Sequence, residues 1–334
     1  MTSIRRRIAI TWLGFGAGAI FVCLFAPLIG STSVDFSRVF DRSIPYADNI
    51  DAQIFFVARL PRVLAGAMVG AALAASGVVL QALLRNPLAT PFTLGVSAGA
   101  ALGAILALTL DLPSGIAGFS AVPMASFAGS LGAVAIVYGL ARARRQGLST
   151  NVLLLAGVTL NSFFSALIIF VQFLADQTQT FRTVRWLMGD LDVSSYAPLL
   201  AAVPPIALSF GAFAVLPRRM NLLSIGEESA ASRGVDVHRT QRLAFLSASL
   251  ATGAAVSLGG PVGFIGIVVP HLIRLIVGAD HRLVLPASAF GGAAFLVACD
   301  TVSRTALAPL EVPVGVVTAI IGGPFFLWLL IRSR

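Results

Sequence analysis

The chain has 334 residues, of which 57% are hydrophobic and only 11% charged, with a mean hydropathy of +0.92. Soluble globular proteins carry about a quarter charged residues, so this composition excludes a soluble domain and indicates a polytopic membrane protein. The formal charge of +9 rests on 23 basic residues, all arginine, which excludes any mechanism that needs a lysine nucleophile or a phosphate-binding lysine in this chain. The arginines are scattered singly and form no patch interleaved with aromatics, so they set orientation in a bilayer and do not bind nucleic acid.

A spanning helix needs roughly 20 apolar residues. Apolar runs between Gly, Pro and charged breaks predict spans over 8–30, 59–82, 92–110, 117–140, 150–174, 196–216, 241–260, 263–278, 283–304 and 314–332. Ten spans fill the length, so 1–334 reads as a single transmembrane domain with an all-α fold. The first run, within "MTSIRRRIAITWLGFGAGAIFVCLFAPL", imitates a signal peptide. Its apolar run is too long for one and more spans follow, so an uncleaved first helix is expected. Runs such as "LAGAMVGAALAASG" are rich in Gly and Ala, which let membrane helices approach closely.

With the N-terminus inside and the spans alternating, 16 arginines fall on the inner side and 7 on the outer, and the acids divide the other way. This bias places both termini in the cytoplasm. The outer stretch 31–58 is mixed in character and is expected to lie along the surface. The inner stretch 217–240, "PRRMNLLSIGEESAASRGVDVHRT", is the largest polar piece on its side. Within it a short helix is expected, with Ser224 as cap, Glu227 and Glu228 in the first turn and Gly234 as the stop. Length and capping leave two readings, a solvated loop or a docking element.

No zinc spacing, serine elbow or other catalytic constellation is present, so neither an enzyme nor a resident metal or cofactor is expected. Cys23 and Cys299 lie in apolar runs and read as small core residues. His238, His271 and His281 stand apart and read as structural. Asp300 and Arg304 lie four apart on one face and are expected to pair. The conspicuous punctuation is Gly and Pro at membrane depth, in "LLRNPLATPFTLG" and "SLGGPVGFIGIVVPHLIRLIVGADHR". Such breaks are tolerated only where protein or a water-filled path surrounds them. They read as tight turns and, occurring once in each half, as a hint of a pathway between halves.

These same residues, from "RLPRVLAGAMVGAALAASGVVLQALLRNPLATPFTLGVSAGA" to "GGPVGFIGIVVPHLIRLIVGADHR" and on to "FFLWLL", resemble the FecCD-type permease family of ABC importers for iron–siderophores, haem and cobalamin. The resemblance runs from about residue 55 to the C-terminus. It implies a type II ABC importer permease fold that works as a homodimer or with a paired relative. The implied partners are two cytoplasmic ATPases, which carry the ATP and Mg, and a substrate-binding protein outside the bacterial inner membrane. It also implies site residues. Arg59, Arg62 and Arg304 would dock the binding protein through exposed, individually weak ion pairs of about 0–1 kcal/mol. The 217–240 segment would seat in the ATPases through Gly226, Glu227, Glu228, Ala230 and Gly234, with Ser229 departing from the family's E-A-A-x-x-x-G pattern. Asn86, Leu88, Ser149 and Thr150 would form the cytoplasmic gate. Arg182 and Arg185, in "TFRTVRWLMGD", are candidates for the substrate path. The rival readings are an ion- or proton-coupled carrier and a membrane-embedded enzyme.

Overall fold

The computed structural model describes residues 2–112, 120–143, 150–193 and 195–332. Its elements in order are α1 (Thr2–Phe25), α2 (Phe36–Val39), α3 (Ile50–Gln53), α4 (Leu60–Leu83), α5 (Val96–Thr109), α6 (Ala121–Ala143), α7 (Thr150–Leu174), α8 (Gln177–Leu187), α9 (Ala197–Val215), α10 (Pro217–Leu223), α11 (Glu227–Ala231), α12 (Val237–Gly259), α13 (Ile265–Val277), α14 (His281–Thr305) and α15 (Val314–Arg332). Among the described residues there is no strand. Among the described residues seven helices are long and apolar enough to cross a membrane, and α5, α13 and α15 are shorter apolar helices. Together they correspond to the ten expected spans.

The core centres on α4, which packs against α14, α12 and α13. Its sequence shows why. A Cβ added to Gly70 would lie 2.2 Å from the carbonyl oxygen of Gly292 on α14, and one added to Gly292 would lie 2.3 Å from that of Gly70. Two turns on, a Cβ on Gly77 would meet the Gly266 carbonyl oxygen at 2.1 Å. Without side chains at these points the backbones reach van der Waals contact, which is how helices gain packing energy where lipid offers no hydrophobic drive. The α5–α6 pair repeats the device at Gly99 and Gly129.

Between the spans the chain is more structured than the sequence suggests. The outer stretch folds into α2, capped by Asp35, and α3, capped by Asn49, and then a single π turn, Ile54–Arg59, leads into α4. At its other end α4 stops at Arg85, whose φ of 47° is in the left-handed region. The amide of Asn86 donates to the Gln81 carbonyl and that of Arg85 to the Ala82 carbonyl, the bonding of a Schellman stop.

Replacing Gly70 or Gly292 with Ala forces the α4 and α14 backbones apart. We expect losses of about 1–3 kcal/mol and a lowered Tm in detergent. Ala at Gly14, where a Cβ meets nothing within 4 Å, should leave Tm unchanged or raise it.

Candidate functional site

Two ends of the bundle carry chemistry. At one, a cavity of about 730 Å³ is lined by residues of the 30–32 loop, α4, α8, α14 and the 309–314 loop. Arg59, Arg62 and Arg304 all face it. The exposure expected of these arginines is corrected here: they are only 5%, 7% and 5% exposed. Their charges are met inside the fold. Arg62 Nε donates to Asp300 Oδ1 at 2.8 Å and its Nη1 to Glu311 Oε2 at 2.7 Å. Arg304 Nε donates to Asp300 Oδ2 at 3.1 Å, the pairing expected from their spacing.

Arg59 differs. Its guanidinium donates to the carbonyl oxygens of Pro27, at 2.9 Å, and Thr32. No carboxylate partners it among the described residues. Three guanidinium groups therefore share two carboxylates, and the surplus positive charge sits at Arg59. Exposed-pair energetics do not apply here, because a buried cation must be paired or well hydrogen-bonded to offset its lost hydration. Around the same cavity, Arg185 on α8 pairs with Asp190 at 3.0 Å and Asp192 at 3.9 Å. Arg182 is turned elsewhere and approaches Asp111 at 3.8 Å. Both members of the expected substrate-path pair thus have acidic neighbours, and only Arg185 lines the cavity.

At the opposite end lie the N-terminus of α1, the turn after α4, the pair α10–α11 and the α13–α14 turn. Ser224 does not cap α11, contrary to expectation. It ends α10, and its hydroxyl donates to the Asn221 carbonyl. Gly226, at φ 134°, is the residue before α11, where a side chain would be strained. The expected stop holds: Gly234 has φ 82°, and the amides of Gly234 and Val235 return to the carbonyls of Ala231 and Ala230. Ala230 is fully buried, whereas Glu227 and Glu228 are exposed. Glu227 accepts from Arg85 Nη2 at 3.1 Å and from Gln241 Nε2 at 3.2 Å. Asn86 lies in the same turn as Arg85, where its side chain accepts from the Leu88 amide and leaves Leu88 exposed. Thr150 opens α7, and Ser149 lies outside the described residues.

Asn221 on α10 was not singled out by sequence. Its Nδ2 donates to Asp280 at 2.7 Å and its Oδ1 accepts from the His281 amide at 2.9 Å and contacts the His281 ring at 2.7 Å. Arg282 first, and then Asn221, hold the Asp280 carboxyl far below its usual 3.8. Among the described residues no group of His, Cys, Asp or Glu side chains is arranged to hold a metal ion.

A family model described as the FecCD transport family matches residues 18–332. The hemin transport system permease protein HmuU of Yersinia pestis is 39% identical over 321 residues, covering 95% of each chain. The cobalamin import system permease protein BtuC of Halobacterium salinarum is 46% identical over 277 residues, covering 83% of this chain and 72% of its own. A solved metal-chelate type ABC transporter in an inward-facing conformation superposes with a TM-score of 0.80 at 32% identity, over 97% of this chain and 99% of that one.

Two outcomes follow. Asp300→Asn strands two buried guanidinium groups and should cost about 3–5 kcal/mol. Glu311→Gln, at a half-exposed carboxylate, should cost about 1 kcal/mol or less; thermal melts of both variants check the contrast. Because the Asp280 pKa is depressed in the folded state, its ionised form contributes stability that is present above the ordinary carboxylate pKa and lost as pH falls below it. The Tm gap between wild type and Asp280→Asn should therefore be full at about pH 7 and about pH 5, both above the ordinary carboxylate pKa, and narrow only under more acid conditions.

Proposed function

Since this chain belongs to the FecCD transport family, we propose that it passes an iron chelate (a ferric siderophore or haem) or cobalamin across the bacterial inner membrane. It is the permease subunit of an ATP-binding-cassette importer, and ATP is hydrolysed on a separate ATPase subunit. The carrying observation is the two-ended arrangement. A cavity with surplus positive charge at Arg59 lies at one end, and two short helices with exposed carboxylates lie at the other.

In this reading the cavity end faces outward. Arg59, with Arg62 and Arg304 behind it, receives acidic side chains of a substrate-binding protein. Arg185, and more distantly Arg182, stand beside the route of an anionic chelate. The α10–α11 end and both termini are cytoplasmic. Gly226, Glu227, Glu228, Ala230 and Gly234 shape the element that seats on the ATPases, which bind the ATP and Mg. Asn86, Leu88, Ser149 and Thr150 close the inner end of the path. A second copy of the chain completes the permease. The exposed apolar faces of α7 and α15, including Phe163, Phe170, Ile320 and Leu327, support a homodimer interface there. Nothing covalent is done to the substrate; ATP in the partner biases two packings of the helices.

Proteoliposomes holding the permease, its ATPase and the binding protein should accumulate chelate only with internal ATP, and uptake driven by an ion gradient alone would overturn the proposal. Arg59→Ala should weaken binding-protein docking about ten-fold, a 1.4 kcal/mol effect, while the ATPase still co-purifies with the permease.

A further inference from the structure

Beside the transport route, the α10 end of the bundle has a second concavity. A groove of about 580 Å³ runs between α1, α9 and α14. Ile8 and Trp12 of α1, Phe210 and Ala214 of α9, and Leu285 and Ala289 of α14 form its apolar walls. Trp12 is half exposed, so the groove opens outward from the bundle. Its mouth is basic, where Arg218 and Arg282 meet the walls.

The two arginines are not equivalent. Arg282 is already engaged, donating from Nε and Nη2 to the Asp280 carboxylate at distances down to 2.6 Å. Arg218 is exposed and has no carboxylate partner among the described residues. Arg219 follows it, and Arg5 stands on the α1 face that carries Ile8 and Trp12, three and seven residues away. One end of the groove therefore has unneutralised positive charge and the rest is hydrocarbon-lined.

We propose that this groove seats an anionic phospholipid, its phosphate at Arg218 and an acyl chain between Trp12, Phe210 and Leu285. A lipid is favoured over a soluble anion because the apolar walls extend away from the charge and face outward from helices that cross a bilayer. An anionic headgroup is favoured over a zwitterionic one because the mouth has no acid left to meet an ammonium. Basic pockets between spans are a recurrent recognition mode for such headgroups. The position also gives the lipid a structural role. Pro217 and Arg218, which line the groove, begin α10, so a seated lipid braces the joint between α9 and the first short helix.

The test uses the full chain purified in detergent, with phosphatidylglycerol, phosphatidylcholine or glycerol phosphate added at equal concentration. Retained lipid is counted by native mass spectrometry and Tm is followed in parallel. Phosphatidylglycerol should be retained preferentially and raise Tm. Arg218→Gln should lower its affinity about five-fold, in line with one basic group near an anionic surface, and leave phosphatidylcholine binding unchanged. Ala214→Phe, which fills the groove from an exposed position, should reduce retention of both lipids. Arg42→Ala, on the exposed loop after α2, should change nothing. Equal retention of the two lipids, a preference that survives Arg218→Gln, retention unaffected by Ala214→Phe, or protection by glycerol phosphate equal to that by lipid would each overturn the proposal. None of these readouts depends on transport, so they stand apart from the importer reading.

Discussion

The Gly70–Gly292 crossing sets the register on which both ends of the molecule depend. α4 and α14 run antiparallel, and each glycine's missing side chain lets the other's carbonyl oxygen enter its space. Counting eight residues outward from the crossing reaches Arg62 on α4 and Asp300 on α14, which meet at 2.8 Å. Eight residues are about 12 Å of helix, so the buried ion pair follows from the glycine contact and is not an independent feature. In the other direction the Gly77–Gly266 approach brings α13 alongside. There Gln81 Nε2 donates to the Gly266 carbonyl at 2.9 Å, and its Oε1 accepts from Arg274 at 2.6 Å. A single close contact thus fixes the helix ends that carry the charged groups.

Charge is treated differently at the two ends, and burial explains the difference. Around Asp300 every hydrogen-bonding position counts, because an unpaired ion there would lose its hydration without compensation. Arg62 and Arg304 share the carboxylate, Glu311 accepts from Nη1 of Arg62, and Arg59 falls back on backbone carbonyls. The network is therefore rigid, and it leaves one cation open toward the cavity. At α11 the ion pair Arg85–Glu227 has both side chains about half exposed, and Glu228 is free among the described residues. Such a pair contributes little to stability and is readily exchanged for a partner's groups.

What could be read from the sequence divides along the same physical lines. The longer spans were visible because apolar runs of bilayer length have almost no other explanation, and the shorter α5, α13 and α15 were visible as apolar runs between Gly, Pro and charged breaks. The Asp300–Arg304 pair was visible because it is local, four residues apart on one helix. Arg62–Asp300, 238 residues apart in sequence, was not, since nothing in one chain marks a contact set by a distant glycine crossing. The arginines at 59 and 62 were expected to be exposed because the docking role that the resemblance implies needs free charge, whereas a long guanidinium stem can fold back on carboxylates, as Arg62 does, or on backbone carbonyls, as Arg59 does. One omission and one error had readable signals. α8 carries an Asp176 cap with Gln179 three residues on, both halves of a capping box that the sequence displays. At 224–226 the serine attracted the cap assignment, but a glycine at φ 134° makes the sharper break.

The links between the short helices and the spans bear on how motion enters the bundle. α11 is tied through Glu227 to Arg85, at the end of α4. α10 is tied through Asn221 to Asp280 and His281, at the start of α14. These are the two helices locked together at Gly70 and Gly292. A force applied to the α10–α11 pair therefore reaches both members of the Gly70–Gly292 contact at the same end, and does not readily slide one past the other. α4 and α14 must respond as one body. α7 and α15 pack against fewer neighbours and keep broad exposed apolar faces. Within one chain these two helices are therefore the less tightly held, and α7 begins at Thr150. In the importer reading, the inner gate thus stands on a helix that packs against the partner copy, while the docking arginines around Asp300 travel with the body that is pushed.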